Sequence, residues 1–190
     1  MQDICDKLFA LARPYLAVRE NQKHTEICYS YALKLLEHIG GRPEIVLPAI
    51  ILHDVGWSAV PPEKHLLAFG PGEIDKELRR VHEVEGVKIA ERLLQEVPLS
   101  KEDIREICRI IKNHDSGENP LSLEEKMVKD ADKLFRFSQE AFTLDVERFS
   151  MKPRENWERL YASLDEWFFT DFAKELAIRE LQNLEKLASR

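Results

Sequence analysis

Residues 51–57 read Ile-Leu-His-Asp-Val-Gly-Trp (ILHDVGW) and set an adjacent His53-Asp54 pair at the end of an apolar run. That run, residues 45–52, is apolar nearly all round a helix, which marks a segment buried at the centre of a fold. Pro43 opens it, and Gly40-Gly41 stops the helical pattern that precedes it. A histidine and an aspartate ending so buried a helix need partners, because imidazole and carboxylate are costly to bury unless something pairs them.

Helical periodicity continues on both sides of this run. A first helix is expected from Asp3 to near Leu16. A second starts around His24 and repeats Ile27, Cys28, Tyr31, Leu35 and Ile39 at intervals of three and four. After the doublet, WSAVPPEKHLLAFGPGE (57–73) is rich in Pro and Gly and reads as a loop, a candidate substrate lid. A fourth helix carries His82, Gly86, Ile89, Leu93 and Val97 on one face. Ser100 with Asp103 caps a fifth, bearing Ile104, Ile107, Cys108, Ile111 and His114; Ser122 with Glu125 caps a sixth, which holds Asp132. The last fifty residues carry two more helical patterns, divided at Thr170-Asp171 with Thr170 as N-cap. Core packing is the default for the stripe of Trp157, Tyr161, Trp167 and Phe168.

These patterns predict an all-α fold in a single domain of 190 residues, long enough for a real core, with 44% hydrophobic and 33% charged residues. A net charge of −7 argues against a nucleic-acid polymer as partner. The apolar run is too short to span a bilayer, and MQDICDKL carries acids where a signal peptide would be basic. Cys5, Cys28 and Cys108 form no CxxC pair and each falls on an apolar stripe, so buried thiols in a reducing cytosol are expected in preference to cysteine ligands.

Three of the helices turn a histidine into their buried stripe: His24 in phase with Cys28 and Tyr31, His82 with Gly86 and Ile89, His114 with Ile107 and Ile111. One such histidine is usually a hydrogen-bonded core residue. Three of them, converging with His53-Asp54, point to a divalent metal, and mixed imidazole and carboxylate suits Fe, Mn, Co, Ni or Zn. His38 falls on the polar side of its helix and is expected in solvent; His65, in the Pro-rich loop, reads as a surface histidine or a substrate contact. Asp130 and Asp132 flank the Met127-Ala131-Phe135 stripe at similar angles, and periodicity does not choose between them.

The ordered series His24, His53-Asp54, Asp132 resembles the HD-domain superfamily of metal-dependent phosphohydrolases, and the likeness spans roughly 24–137. The context Ala131-Asp132-Lys133-Leu134 matches the family's last aspartate and favours Asp132 over Asp130. His82 and His114 match, in order and spacing, the two extra histidines of binuclear branches. The resemblance implies a helical HD bundle (core about 20–140) with a C-terminal helical extension (about 141–190). It implies two metals bridged by Asp54, with His24, His53 and Asp132 on one and His82 and His114 on the other. A metal-activated hydroxide would then hydrolyse a phosphate ester or anhydride of a small metabolite or nucleotide. The alternative is a di-iron oxygenase of the myo-inositol oxygenase type acting on a polyol or phosphonate. Lys133, Arg136 and Lys112 are the expected phosphate contacts, with Arg79 and Arg80 next, and a homodimer is a further expectation. Many relatives carry Lys after His-Asp-x-Gly where this chain has Trp57, so where they use that lysine on an anionic substrate this chain must rely on other groups or bind something different.

Overall fold

The computed structural model of the chain describes residues 1–68 and 74–189. Its helices, in order, are α1 (Gln2–Leu16), α2 (Asn21–Ile39), α3 (Pro43–Leu52), α4 (Lys76–Leu94), α5 (Lys101–Asn113), α6 (Leu123–Phe135), α7 (Gln139–Arg148), α8 (Pro153–Ala162), α9 (Leu164–Trp167) and α10 (Asp171–Ala188). Two 3-10 helices, Val55–Ala59 and Pro62–Leu67, fill the chain between α3 and α4. No strand occurs among the described residues. The fold is all-α.

α3 is the axle of the bundle. Residues 45–52 are all buried, and α1, α2, α5 and α6 pack around them. Ile45, Ile50, Ile51 and Leu52 have no exposed surface, and each such side chain removed from water contributes roughly 1.5–3 kcal/mol. Gly40 and Gly41 turn the chain from α2 into α3 with φ of 83° and 106°, angles that a side chain resists. The expected caps form: the Ser100, Ser122 and Thr170 hydroxyls accept from the amides of Asp103, Glu125 and Ala173.

Three features depart from the sequence reading. α2 begins at Asn21, a turn before His24, so His24 lies inside a helix instead of at its entrance. The Pro-rich stretch after the doublet is largely wound into the two 3-10 helices, and residues 69–73 of the expected lid lie outside the described residues. The C-terminal stripe is broken as well: α7, α8 and α9 precede α10, because Ser138 caps a new helix and Pro153 opens another.

α10 is tied to α6 through Asp130. This fully buried carboxylate accepts from the Phe169 amide (2.8 Å), the Thr170 amide (3.0 Å) and Thr170 Oγ1 (2.6 Å). Burial pushes its pKa up to about 6 against the pull of those donors. Asp130→Ala strands them in a dry environment and is expected to cost about 2–4 kcal/mol, read as a lower urea midpoint. A midpoint like that of the wild type would mean that α10 is held by its apolar face alone.

Candidate metal centre

Five helical segments deliver one cluster of donors. α2 presents His24, the end of α3 presents His53 and Asp54, α4 presents His82, the end of α5 presents His114, and α6 presents Asp132. The Nε2 atoms of His24 and His53 are 2.9 Å apart, and those of His82 and His114 are 3.3 Å apart. Asp54 lies between the two pairs: Oδ2 is 3.4 Å from His24 and 3.8 Å from His53, while Oδ1 is 3.8 Å from His82 and 3.6 Å from His114. Asp132 Oδ1 joins the first pair, 3.3 Å from His24 and 3.6 Å from His53. Of the two aspartates, Asp130 faces α10 and Asp132 faces the histidines.

The hydrogen bonds show what the cluster suits. His53 Nδ1 is 2.8 Å from the Ile50 carbonyl, and His114 Nδ1 is 2.8 Å from the Ile111 carbonyl. A carbonyl only accepts, so each Nδ1 carries a proton and Nε2 is the ring nitrogen turned towards the cluster. Two Nε2 atoms 2.9 Å apart need a proton on one of them or a cation between them. Burial opposes ionisation of Asp54, but the surrounding imidazoles, His53 foremost, hold it well below the usual carboxylate range. Asp132 is held low by hydrogen bonds from His24 and His53 despite its own burial. Burial also works against a charged His53, yet Asp54 and Asp132 raise its pKa to about 9, whereas burial and the neighbouring His114 push His82 down to about 4. Converging Nε2 atoms beside two ionised carboxylates fit a divalent cation, which would take the place of the proton on His53.

Residues that the sequence did not single out brace this arrangement. Buried Glu83 accepts from the Asp115 and Ser116 amides at 3.0 and 2.8 Å, and Lys129 Nζ donates to the carbonyls of Asn113, His114 and Gly117 at 2.6–2.9 Å. Together they fix the turn that carries His114. Trp57 Nε1 donates to Asp54 Oδ1 at 3.0 Å, and its ring stacks on His82 with centroids 4.1 Å apart. His82 Nδ1 is buried with no hydrogen-bond partner, so Trp57 stacking takes the part that a carbonyl plays for His53 and His114. Cys28 Sγ lies 3.6 Å from His24 Nε2 within the same cluster, as a fully buried thiol whose pKa burial pushes well up.

The cluster opens into a cavity of about 500 Å³. Lys133 and Arg136 line it, and so does Arg79. Lys133 Nζ is 3.8 Å from both Asp115 and Asp132; Arg79 pairs with Asp115 at 3.1 Å and Arg136 with Asp145 at 2.9 Å. Lys112 and Arg80 are not on its walls: Lys112 is exposed, and Arg80 binds Glu83 and the Lys112 carbonyl. His65 is buried, with Nε2 2.8 Å from the Val60 carbonyl, so it serves packing rather than surface or substrate. His38 is exposed as expected and stacks on Phe172. Trp157, Tyr161, Trp167 and Phe168 do not line the cavity, and Tyr161 is largely in solvent instead of in the core.

Three comparisons with known proteins bear on this geometry. The family model described as HD domain matches residues 22–136, which takes in all six clustered donors. No curated protein and no solved structure matches the chain. No helix among the described residues is long and apolar enough to cross a membrane. HD domains bind divalent metals and are in general metal-dependent hydrolases, and with more than half its length matched and its His and Asp side chains gathered in one cluster, the chain belongs to the HD-domain family.

Proposed function

We propose that the protein hydrolyses a phosphate ester or anhydride of a small phosphorylated metabolite or nucleotide, at a centre of two divalent transition metals. The observation that carries this reading is Asp54, one carboxylate oxygen turned to the His24–His53 pair and the other to the His82–His114 pair. His24, His53 and Asp132 would hold one ion, His82 and His114 the other, with Asp54 shared. When bound, such ions supply Lewis-acid charge and lower the pKa of water towards neutrality. The chain does the rest. The carbonyls of Ile50 and Ile111 keep two Nε2 atoms aimed inward, and Trp57 steadies both His82 and Asp54. Lys133, on the cavity wall, offers an ammonium to a phosphoryl oxygen, and the buried apolar bundle behind the cluster limits water to the cavity side.

The test is phosphate release from a panel of phosphorylated metabolites with Mn, Co, Ni, Zn or Fe supplied in turn, with and without O₂. Turnover with at least one metal, indifferent to O₂, is expected. Absence of release across the panel, or release that requires O₂, would overturn the reading. The number of ions is tested separately. His82→Ala and His114→Ala should each lower bound metal to about one ion per chain, because half of the donor set remains. Unchanged metal content in both would leave a single ion.

A further inference from the structure

Arg19 stands at the cavity mouth in a posture that helix formation does not explain. It lies between α1 and α2 with φ of 57°, followed by Glu20 at 61°, two consecutive side-chain-bearing residues in the left-handed region. Such angles persist where surrounding contacts enforce them. Its guanidinium carbon is 4.0 Å from the centroid of the Trp57 ring, the same indole that stacks on His82 and hydrogen-bonds Asp54. A guanidinium this close over an indole face is held there by cation–π attraction. Arg136 and Arg148 line the same cavity, and Asp54 attracts the Arg19 charge towards the donor cluster. Burial pushes the Arg19 pKa down to about 10, yet it stays charged at neutral pH.

We propose that Arg19, held over the Trp57 ring, is a substrate-binding residue that grips anionic oxygens of a phosphoryl group next to the metal centre, with Arg136 and Arg148 enlarging the same anion site. This deepens the hydrolase reading and rests on it for the location of the metals. It also assigns the aromatic residue after the doublet a purpose: Trp57 carries no charge itself but holds the charge of another segment over the cavity.

The test is titration of the manganese-loaded full chain with inorganic phosphate, in wild type, Arg19→Ala, Arg19→Lys and Lys112→Ala, with bound manganese and thermal midpoint measured on each. Arg19→Ala should weaken phosphate binding by roughly 10- to 100-fold, the span of one or two charge-assisted hydrogen bonds, at unchanged manganese content. Arg19→Lys should recover part of the loss, because an ammonium keeps the charge but not the fork. Lys112→Ala, outside the cavity, should bind as wild type does. Equal phosphate affinity in Arg19→Ala overturns the proposal, as does a loss of stability alone, which would make the stack a purely structural contact. No phosphate binding by the loaded wild type also overturns it. Failure of the hydrolase reading looks different: Arg19-dependent phosphate binding without turnover of any panel member.

Discussion

Asp54→Ala is expected to lose nearly all bound metal and to slow phosphate release by at least about 10³-fold while keeping its helical circular dichroism. The argument is one of position. Asp54 is within 4 Å of His24, His53, His82 and His114, one oxygen to each pair, so its removal takes a ligand from both halves of the cluster at once. It also removes most of what makes the site attractive to a cation. Burial disfavours charge on His53, and Asp54 heads the influences that raise its pKa against that burial. Without the carboxylate, four imidazoles face one another with only Asp132 to balance a divalent charge. The fold survives because α3 is held by its aliphatic faces, not by this end. Metal content by elemental analysis of protein purified without chelator is the measurement. Metal retained at the wild-type level with activity lost would move Asp54 from ligand to some other role.

Much of this was readable before any coordinates. The apolar run at 45–52 announced the central helix, because nothing but burial on all sides tolerates such a pattern. The histidines shared the stripes of their helices, so once those faces turned inward, His24, His82 and His114 had to meet the end of α3. What stayed hidden depends on contacts between segments remote in sequence. Periodicity gave Asp130 and Asp132 the same standing; only the approach of α10, which brings the Thr170 hydroxyl to Asp130, separates them. Arg19 carried no signal, since a left-handed Arg-Glu turn has no pattern and its partner Trp57 is 38 residues away in the chain. Lys112 illustrates the converse error. Nearness in sequence to His114 suggested a phosphate contact, but helix geometry turns adjacent residues to different faces and leaves it in solvent. Glu83 and Lys129 are charged residues on amphipathic helices, which ordinarily means solvent, and only the turn after His114 shows why both are buried.

The second large effect belongs to a residue with no side chain. Gly56→Ala is expected to destabilise the protein by more than about 3 kcal/mol, whereas Gly86→Ala, on the opposite side of the same contact, should change stability by less than about 1 kcal/mol. Here the first 3-10 helix presses directly on α4. A Cβ at Gly56 would lie 1.8 Å from the His82 carbonyl oxygen and 2.5 Å from the Gly86 nitrogen, both backbone atoms of a helix that cannot step aside. A Cβ at Gly86 would meet Gly56 and the Ile111 side chain at 3.5–3.7 Å, ordinary contact distances, and alanine is the better helix former by about 1 kcal/mol. The same close approach is what lets Trp57, one residue on, lie flat against His82, so Gly56→Ala should also loosen the His82–His114 half of the cluster before the His24–His53 half. Urea unfolding gives the stability difference, and metal content of the folded fraction gives the second. If Gly56→Ala unfolded at the wild-type midpoint, the contact between the 3-10 helix and α4 would have to be looser than these distances require.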